Sequence, residues 1–93
     1  MIHSFADKKL ERFWLQNRLA GIPTEAHDVL RRKLYMLAIA ETLDDLRVPP
    51  ANHLEALKGT LNGCYSIRVN RQWRLVFQWK NNQAMNVRLA DYH

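Results

Sequence analysis

CYSIRVNRQWRLVFQW, residues 64–79, carries the clearest secondary-structure pattern in the chain. Apolar and polar side chains alternate on both sides of segment 70–72, which is typical of two antiparallel strands joined by a short turn. Asn70 tolerates turn geometry, and three-residue loops are common hairpin connections. The stretch therefore predicts a β-hairpin with one apolar face and one polar face.

The register of this hairpin follows from keeping both apolar sets on one side, because a one-residue slip would turn one set into water. Pairing Ile67 with Leu75 meets this condition and places Arg68 directly opposite Arg74. Facing like charges are unfavourable, so the pair indicates either an anion held between two arginines or a solvated face on which they splay apart. The residues leave both interpretations open.

Helical periodicity dominates the first half of the chain. The spacing of apolar side chains predicts helices over about residues 4–20 and 24–44. Ser4 and Asp7 form a capping-box pattern that would start the first helix. The basic triplet 31–33 lies within the second, and since successive helix residues point in different directions, we interpret it mainly as a solvated face.

The second half of the chain alternates with period two. Placing Trp79 opposite Met85 and Leu75 opposite Leu89 continues the facing rule into a last strand. We therefore predict one α+β domain spanning residues 1–93, with two N-terminal helices packed on one face of a small antiparallel sheet. The predicted strands cover about residues 53–58, 64–70, 73–80 and 84–90.

The charge distribution favours a polyanionic partner. The 93 residues carry a net charge of +5, and all of the excess lies in residues 47–93. Nucleic acid fits such a surface, although an acidic protein satisfies the same electrostatics. The single cysteine, Cys64, excludes an internal disulfide and offers no metal cluster. With no apolar run of membrane-spanning length and no signal-peptide pattern, a cytoplasmic location without metal or cofactor is expected.

Several polar side chains are predicted to converge at one end of the open sheet face. Cleavage of RNA by its own 2′-hydroxyl needs a proton acceptor, cationic groups for the phosphate oxygens and a proton donor for the leaving oxygen. Each candidate also has a plainer interpretation as a strand-end cation, an ion-pair partner, a surface position or a frayed terminus. The candidates are Lys58, Arg68, Arg74, Tyr92, His93, Glu55 and His53.

Blocks along the whole chain closely resemble the HigB toxins, which belong to the RelE-type superfamily of bacterial toxin–antitoxin systems. Their joint presence at matching spacing is far more specific than any one motif. The blocks are Met1-Ile2 with Ser4-Phe5, PPAN at 49–52, LEALKG at 54–59, YSIRVN at 65–70, QWRL at 72–75 and DYH at 91–93.

The resemblance implies a RelE-like fold and a ribosome-dependent endoribonuclease that cuts messenger RNA without a metal and so inhibits translation. It also implies a helix-turn-helix antitoxin of the HigA type, with which the toxin would bind operator DNA. By position, Lys58, Arg68, Arg74 and Tyr92 match the family's active-site pattern, and His93 lies beside Tyr92.

One position departs from the family pattern. Some members carry a histidine three residues before the lysine, where this chain has Glu55. His53 lies five residues before Lys58, so it is not an automatic substitute. The proton acceptor therefore stays open between Glu55 and Tyr92.

Two other functions remain compatible with the residues. A non-catalytic binder on the same scaffold would resemble the ParE-type toxins that act on DNA gyrase. A basic domain that only binds nucleic acid would lose affinity steeply with salt and leave no cut ends.

Overall fold

Two α-helices cover one face of a four-stranded antiparallel sheet in the part of the chain that the structure describes. The computed structural model describes residues 1–91 and confirms the predicted α+β arrangement. The sheet order is β1-β2-β3-β4. The elements are α1 (Lys8–Gln16), α2 (His27–Ile39), β1 (Glu55–Ala56), β2 (Cys64–Arg68), β3 (Trp73–Lys80) and β4 (Gln83–Asp91).

The first helix starts later than the capping-box pattern predicts. Asp7 is the N-cap, and its carboxylate accepts from the backbone N–H groups of Lys9 at 3.0 Å and Leu10 at 3.2 Å. The Ser4 hydroxyl instead accepts from the backbone N–H of Asn86 at 2.9 Å. The predicted start at Ser4 is wrong because the chain before Asp7 is extended and pairs in parallel with the edge strand β4.

Both helices are also shorter than the apolar periodicity predicts. The first ends at Gln16 because Asn17 adopts a left-handed conformation with φ 54°. The second is preceded by a 3₁₀ turn at Thr24–Ala26 and ends at Ile39. A separate 3₁₀ helix, Leu43–Arg47, follows with its own capping box, so the predicted helix 24–44 is three elements.

The central hairpin has the predicted register. Ile67 pairs with Leu75, and Arg68 is the direct partner of Arg74. The Asn70 carboxamide oxygen accepts from the N–H groups of residues 72 and 73 at 2.9 and 2.8 Å. This side chain therefore closes the predicted turn.

The pairing of the last two strands differs from the prediction at one end. Asn81 and Asn82 both have positive φ, 53° and 60°, as a two-residue type I′ turn requires. The tighter turn sets Trp79 opposite Ala84 rather than Met85. A bulge beyond this point adds one residue to β4 and restores the predicted Leu75–Leu89 and Arg74–Ala90 pairs.

The helices and one sheet face share a single apolar core. Burying one such side chain contributes about 1.5–3 kcal/mol relative to leaving it exposed. The opposite face of β2 and β3 is thereby left to Ser66, Arg68 and Arg74. No helix within residues 1–91 has the length and apolarity to cross a membrane. The core side chains that are at most 1% exposed include Leu10, Phe13, Leu30, Leu34, Leu37, Ile67, Leu75, Phe77 and Val87.

Candidate functional site

Arg74 is a buried anchor on the polar face of the sheet. The residue is 5% exposed. Its Nε donates to the Ser66 hydroxyl at 2.8 Å, and a terminal nitrogen donates to the His53 carbonyl at 2.5 Å. The same nitrogen lies 3.9 Å from a carboxylate oxygen of Glu55, whose side chain is 47% exposed. Arg74 therefore ties the segment around β1 to the central hairpin.

Arg68 faces Arg74 across the hairpin but has a different environment. It is half-buried, and its Nε donates to the Asn70 carbonyl at 3.2 Å. Its two terminal nitrogens make no hydrogen bond to another residue in 1–91. Because Arg74 turns inward, the two arginines do not splay apart in solvent, and Arg68 is the accessible cation of the pair.

Four of the predicted site residues meet in one pocket of about 230 Å³, which we call the arginine pocket. The sequence did not single out Arg71 as a site residue. The sequence feature that could have identified Arg71 is its position in the hairpin turn, which brings it to the same end of the sheet as Arg68. The pocket is lined by His53, Glu55, Arg68, Asn70, Arg71 and Arg74.

The remaining predicted residues lie outside this pocket. Lys58 is exposed, follows β1 and makes no side-chain hydrogen bond or ion pair with another residue in 1–91. Tyr92 and His93 lie outside the described residues. Asp91, the last described residue, pairs with Trp73, the neighbour of Arg74 on β3.

A second pocket of about 410 Å³ adjoins the first, and we call it the α2 pocket. It shares His53, Arg68, Asn70 and Arg71 with the arginine pocket. Its other wall comes from α2 and includes residues 29, 32 and 33. The two pockets together therefore make one basic depression around the hairpin turn.

The prediction that the basic triplet 31–33 is mainly a solvated face is wrong for Lys33. The residue is 7% exposed, and its ammonium donates to the Asn52 carboxamide oxygen. Burial, and secondarily the charge of Arg32, lower the pKa of Lys33 from its usual value. Arg31 points elsewhere, since its guanidinium lies over the Phe13 ring at 4.7 Å from the centroid. Arg32 is exposed as predicted, and the Arg31 side chain is 41% exposed.

A larger cleft of about 830 Å³ lies at the start of α1, where Asp7, Trp73 and Arg88 line it. It contains none of the predicted site residues. Size alone does not identify a phosphodiester-cleaving site, which needs convergent cations and a proton acceptor. The arginine pocket combines three arginines with Glu55 and His53, so it is the better candidate.

Comparisons with known proteins identify the family of this chain. Residues 3–93 match the family model described as RelE-like toxin of the type II toxin–antitoxin system HigB. Toxin HigB-1 of Vibrio cholerae serotype O1 is 46% identical, over 99% of this chain and 98% of the relative. Endoribonuclease HigB of Proteus vulgaris is 31% identical over the full length of both chains.

A solved structure supports the fold. The YoeB–YefM complex from Staphylococcus aureus matches with a TM-score of 0.63 at 19% identity, covering 100% of this chain and 98% of that chain. The chain therefore belongs to the HigB-like family of RelE-like toxins, and as a component of a type II toxin–antitoxin system it has an antitoxin as its partner.

Proposed function

We propose that this toxin is an endoribonuclease that cuts messenger RNA by attack of a ribose 2′-hydroxyl on the adjacent phosphorus, without a metal. The observation that carries the proposal is the arginine pocket, which the accessible Arg68 lines together with Glu55 and His53. The Proteus vulgaris relative, which bears the name Endoribonuclease HigB, supports the assignment of an endoribonuclease.

The described residues divide the chemistry among them. Arg68 binds the scissile phosphate with its terminal nitrogens and stabilises the charge that builds there in the transition state. Arg74 adds positive potential and holds the segment that carries Glu55 and His53. Glu55 accepts the 2′-hydroxyl proton from its half-exposed position, with Tyr92 as the alternative acceptor.

Lys58, Tyr92 and His93 complete the proposed site. Lys58 lies three residues beyond Glu55 on an exposed stretch, so it acts on a substrate that extends past β1. A tyrosine or histidine at the terminus would give a proton to the leaving 5′-oxygen or stack on a base.

The ribosome is the proposed source of substrate positioning. The arginine pocket is open and holds Glu55 half in solvent, so this pocket by itself offers little to fix the scissile phosphodiester for in-line attack. Positioning of reactants is worth on the order of 7 kcal/mol or more in favourable cases.

We further propose that the toxin acts in the cytoplasm, where it inhibits translation. Its antitoxin would be a HigA-type helix-turn-helix protein that takes the complex to operator DNA.

A reconstituted cleavage assay tests the proposal. The native chain is expected to cut messenger RNA on programmed ribosomes and to leave naked RNA largely intact. Arg68→Gln should lower the cleavage rate by about 10²–10³-fold, which is the usual effect of removing one donor to a developing oxyanion. Lys80→Gln is the matched control, because Lys80 lies at the other end of β3 and is exposed.

Two results would count against the activity. Equal cleavage by the native chain and Arg68→Gln would remove Arg68 from the chemistry. Growth arrest without cleavage on ribosomes would favour a non-catalytic toxin, and inhibition of purified DNA gyrase would then be measured.

A further inference from the structure

We propose that the α2 pocket is a second phosphate subsite, which binds a phosphodiester of the same RNA strand away from the scissile one. The proposal rests on the proposed function, since it takes the RNA strand in the arginine pocket as its starting point. Arg32, Lys33 and Arg71 are the residues it adds.

The first argument is the environment of Lys33. Its ammonium carries three donors, and one of them is used by Asn52. No carboxylate lies within 4.0 Å of it among residues 1–91. A cation on a residue that is only 7% exposed is unfavourable without a counter-ion. A bound anion would supply the missing counter-charge.

The second argument is the charge of the lining. Arg32, Lys33, Arg68 and Arg71 surround the α2 pocket, and no Asp or Glu of residues 1–91 lines it. The arginine pocket, by contrast, includes Glu55. The α2 pocket is therefore the stronger anion site of the two by charge.

The third argument is continuity, and it selects RNA over other anions. The two pockets share the wall formed by Arg68, Asn70 and Arg71, so a strand leaving the first passes directly into the second. The α2 pocket also includes the apolar side chains of Val29 and Val69. A nucleotide has both a phosphate for the cations and an apolar base face for these side chains.

Binding of a non-cleavable RNA tests the subsite. The probe is a fluorescein-labelled 2′-O-methyl RNA hexamer, whose blocked 2′-hydroxyls prevent cutting, and affinity is measured by anisotropy at several salt concentrations. Arg32→Gln with Arg71→Gln removes two exposed cations of the pocket. Arg12→Gln with Lys80→Gln removes two exposed cations elsewhere, so the net charge of both variants is equal.

The pocket variant should bind about tenfold more weakly at low salt. Its plot of log affinity against log salt should be shallower by about 0.7, because one phosphate contact with a single strand contributes about 0.7 to the slope. The control variant should keep most of the native slope. Equal loss in both variants would mean a diffuse field, and no loss in either would mean no subsite; both results overturn the proposal.

Lys33→Met provides a second variant that removes the charge and shortens the unbranched side chain by one atom. It should weaken binding of the hexamer in the same way while its circular dichroism stays native. If it fails to fold, the Arg32 and Arg71 variant decides the question, because both of those side chains are exposed.

Three further arms separate the alternatives. Stabilisation against heat by inorganic phosphate equal to that by the hexamer would mean a simple anion site. Loss of antitoxin binding with unchanged RNA affinity in the Arg32 and Arg71 variant would mean a pocket for an acidic protein segment. The ribosome assay with the native chain and Arg68→Gln tests the cleavage function separately. If the native chain cleaves as expected but the Arg32 and Arg71 variant keeps the native salt slope, the subsite alone is overturned.

Discussion

Arg68 and Arg74 face each other across one hairpin, yet their guanidinium groups have different tasks. Arg74 is held by the Ser66 hydroxyl and the His53 carbonyl, whereas the terminal nitrogens of Arg68 remain available to a ligand. Alternation and register sufficed to predict that the two arginines are partners. The inward turn of Arg74 could not be predicted, because it depends on a backbone carbonyl 21 residues away.

The two arginines should therefore respond differently to the same substitution. Arg74→Gln leaves the buried Ser66 hydroxyl and the part-buried His53 carbonyl without their donor, so the free energy of unfolding should fall by about 1–3 kcal/mol. Arg68→Gln should change it by less than about 0.5 kcal/mol, as is usual at accessible positions. Urea denaturation followed by circular dichroism measures both. A loss of stability in Arg68→Gln as large as that in Arg74→Gln would contradict the assigned environments.

At the scale of elements, the structure differs from the sequence prediction mainly at the ends of the helices and in the turns. Regular apolar spacing predicted both helices and the last three strands, because burial of one face dictates that spacing. The first strand, predicted over residues 53–58 without clean alternation, is only Glu55–Ala56. The exact ends depend on competing local hydrogen bonds: Ser4 serves β4 rather than α1, and Asp45 caps a new 3₁₀ helix where a longer α2 was predicted. Likewise, the shift of Trp79 came from a turn of two residues instead of three.

The cap at Asp45 makes a pH-dependent contribution to stability. Its carboxylate accepts from the N–H groups of Thr42 and Glu41, which hold the pKa of Asp45 below its ordinary value of 3.8. A depressed pKa in the folded state means that the contribution is present above 3.8 and is lost as the pH falls through the folded value.

The comparison of native protein with Asp45→Asn isolates this effect. The native chain should be the more stable at neutral pH, and the difference in melting temperature should shrink below pH 3.8 as Asp45 is protonated. Thermal melts of both proteins across this range provide the measurement. A difference that stays constant with pH would show that the charged carboxylate is not the stabilising group.

At the scale of the molecule, the fold joins cations that the sequence keeps apart. The net charge of residues 1–46 is zero, so the helical half gave no sign of belonging to a basic surface. In the structure, α2 contributes Arg32 and Lys33 to the same depression as Arg68 and Arg71. The distribution of charge along the sequence therefore identified the part of the basic surface that the sheet forms, but not the part that α2 forms.

The fold is also consistent with a toxin that depends on the ribosome to position its RNA substrate. The arginine pocket supplies cations and a carboxylate, but its walls leave Glu55 half-exposed. Such a site lowers the activation barrier for cleavage once the RNA is aligned, whereas the ribosome would align the RNA. The account therefore predicts cleavage coupled to translation.

Mapping of messenger RNA 5′ ends after brief induction in bacteria tests this central claim most directly. Native chain, Arg68→Gln and the Lys80→Gln control would be compared at equal protein levels. The account predicts new 5′ ends within translated codons for the native chain and for Lys80→Gln, and their absence for Arg68→Gln. Growth arrest by the native chain without new ends, or the same ends from Arg68→Gln, would contradict it.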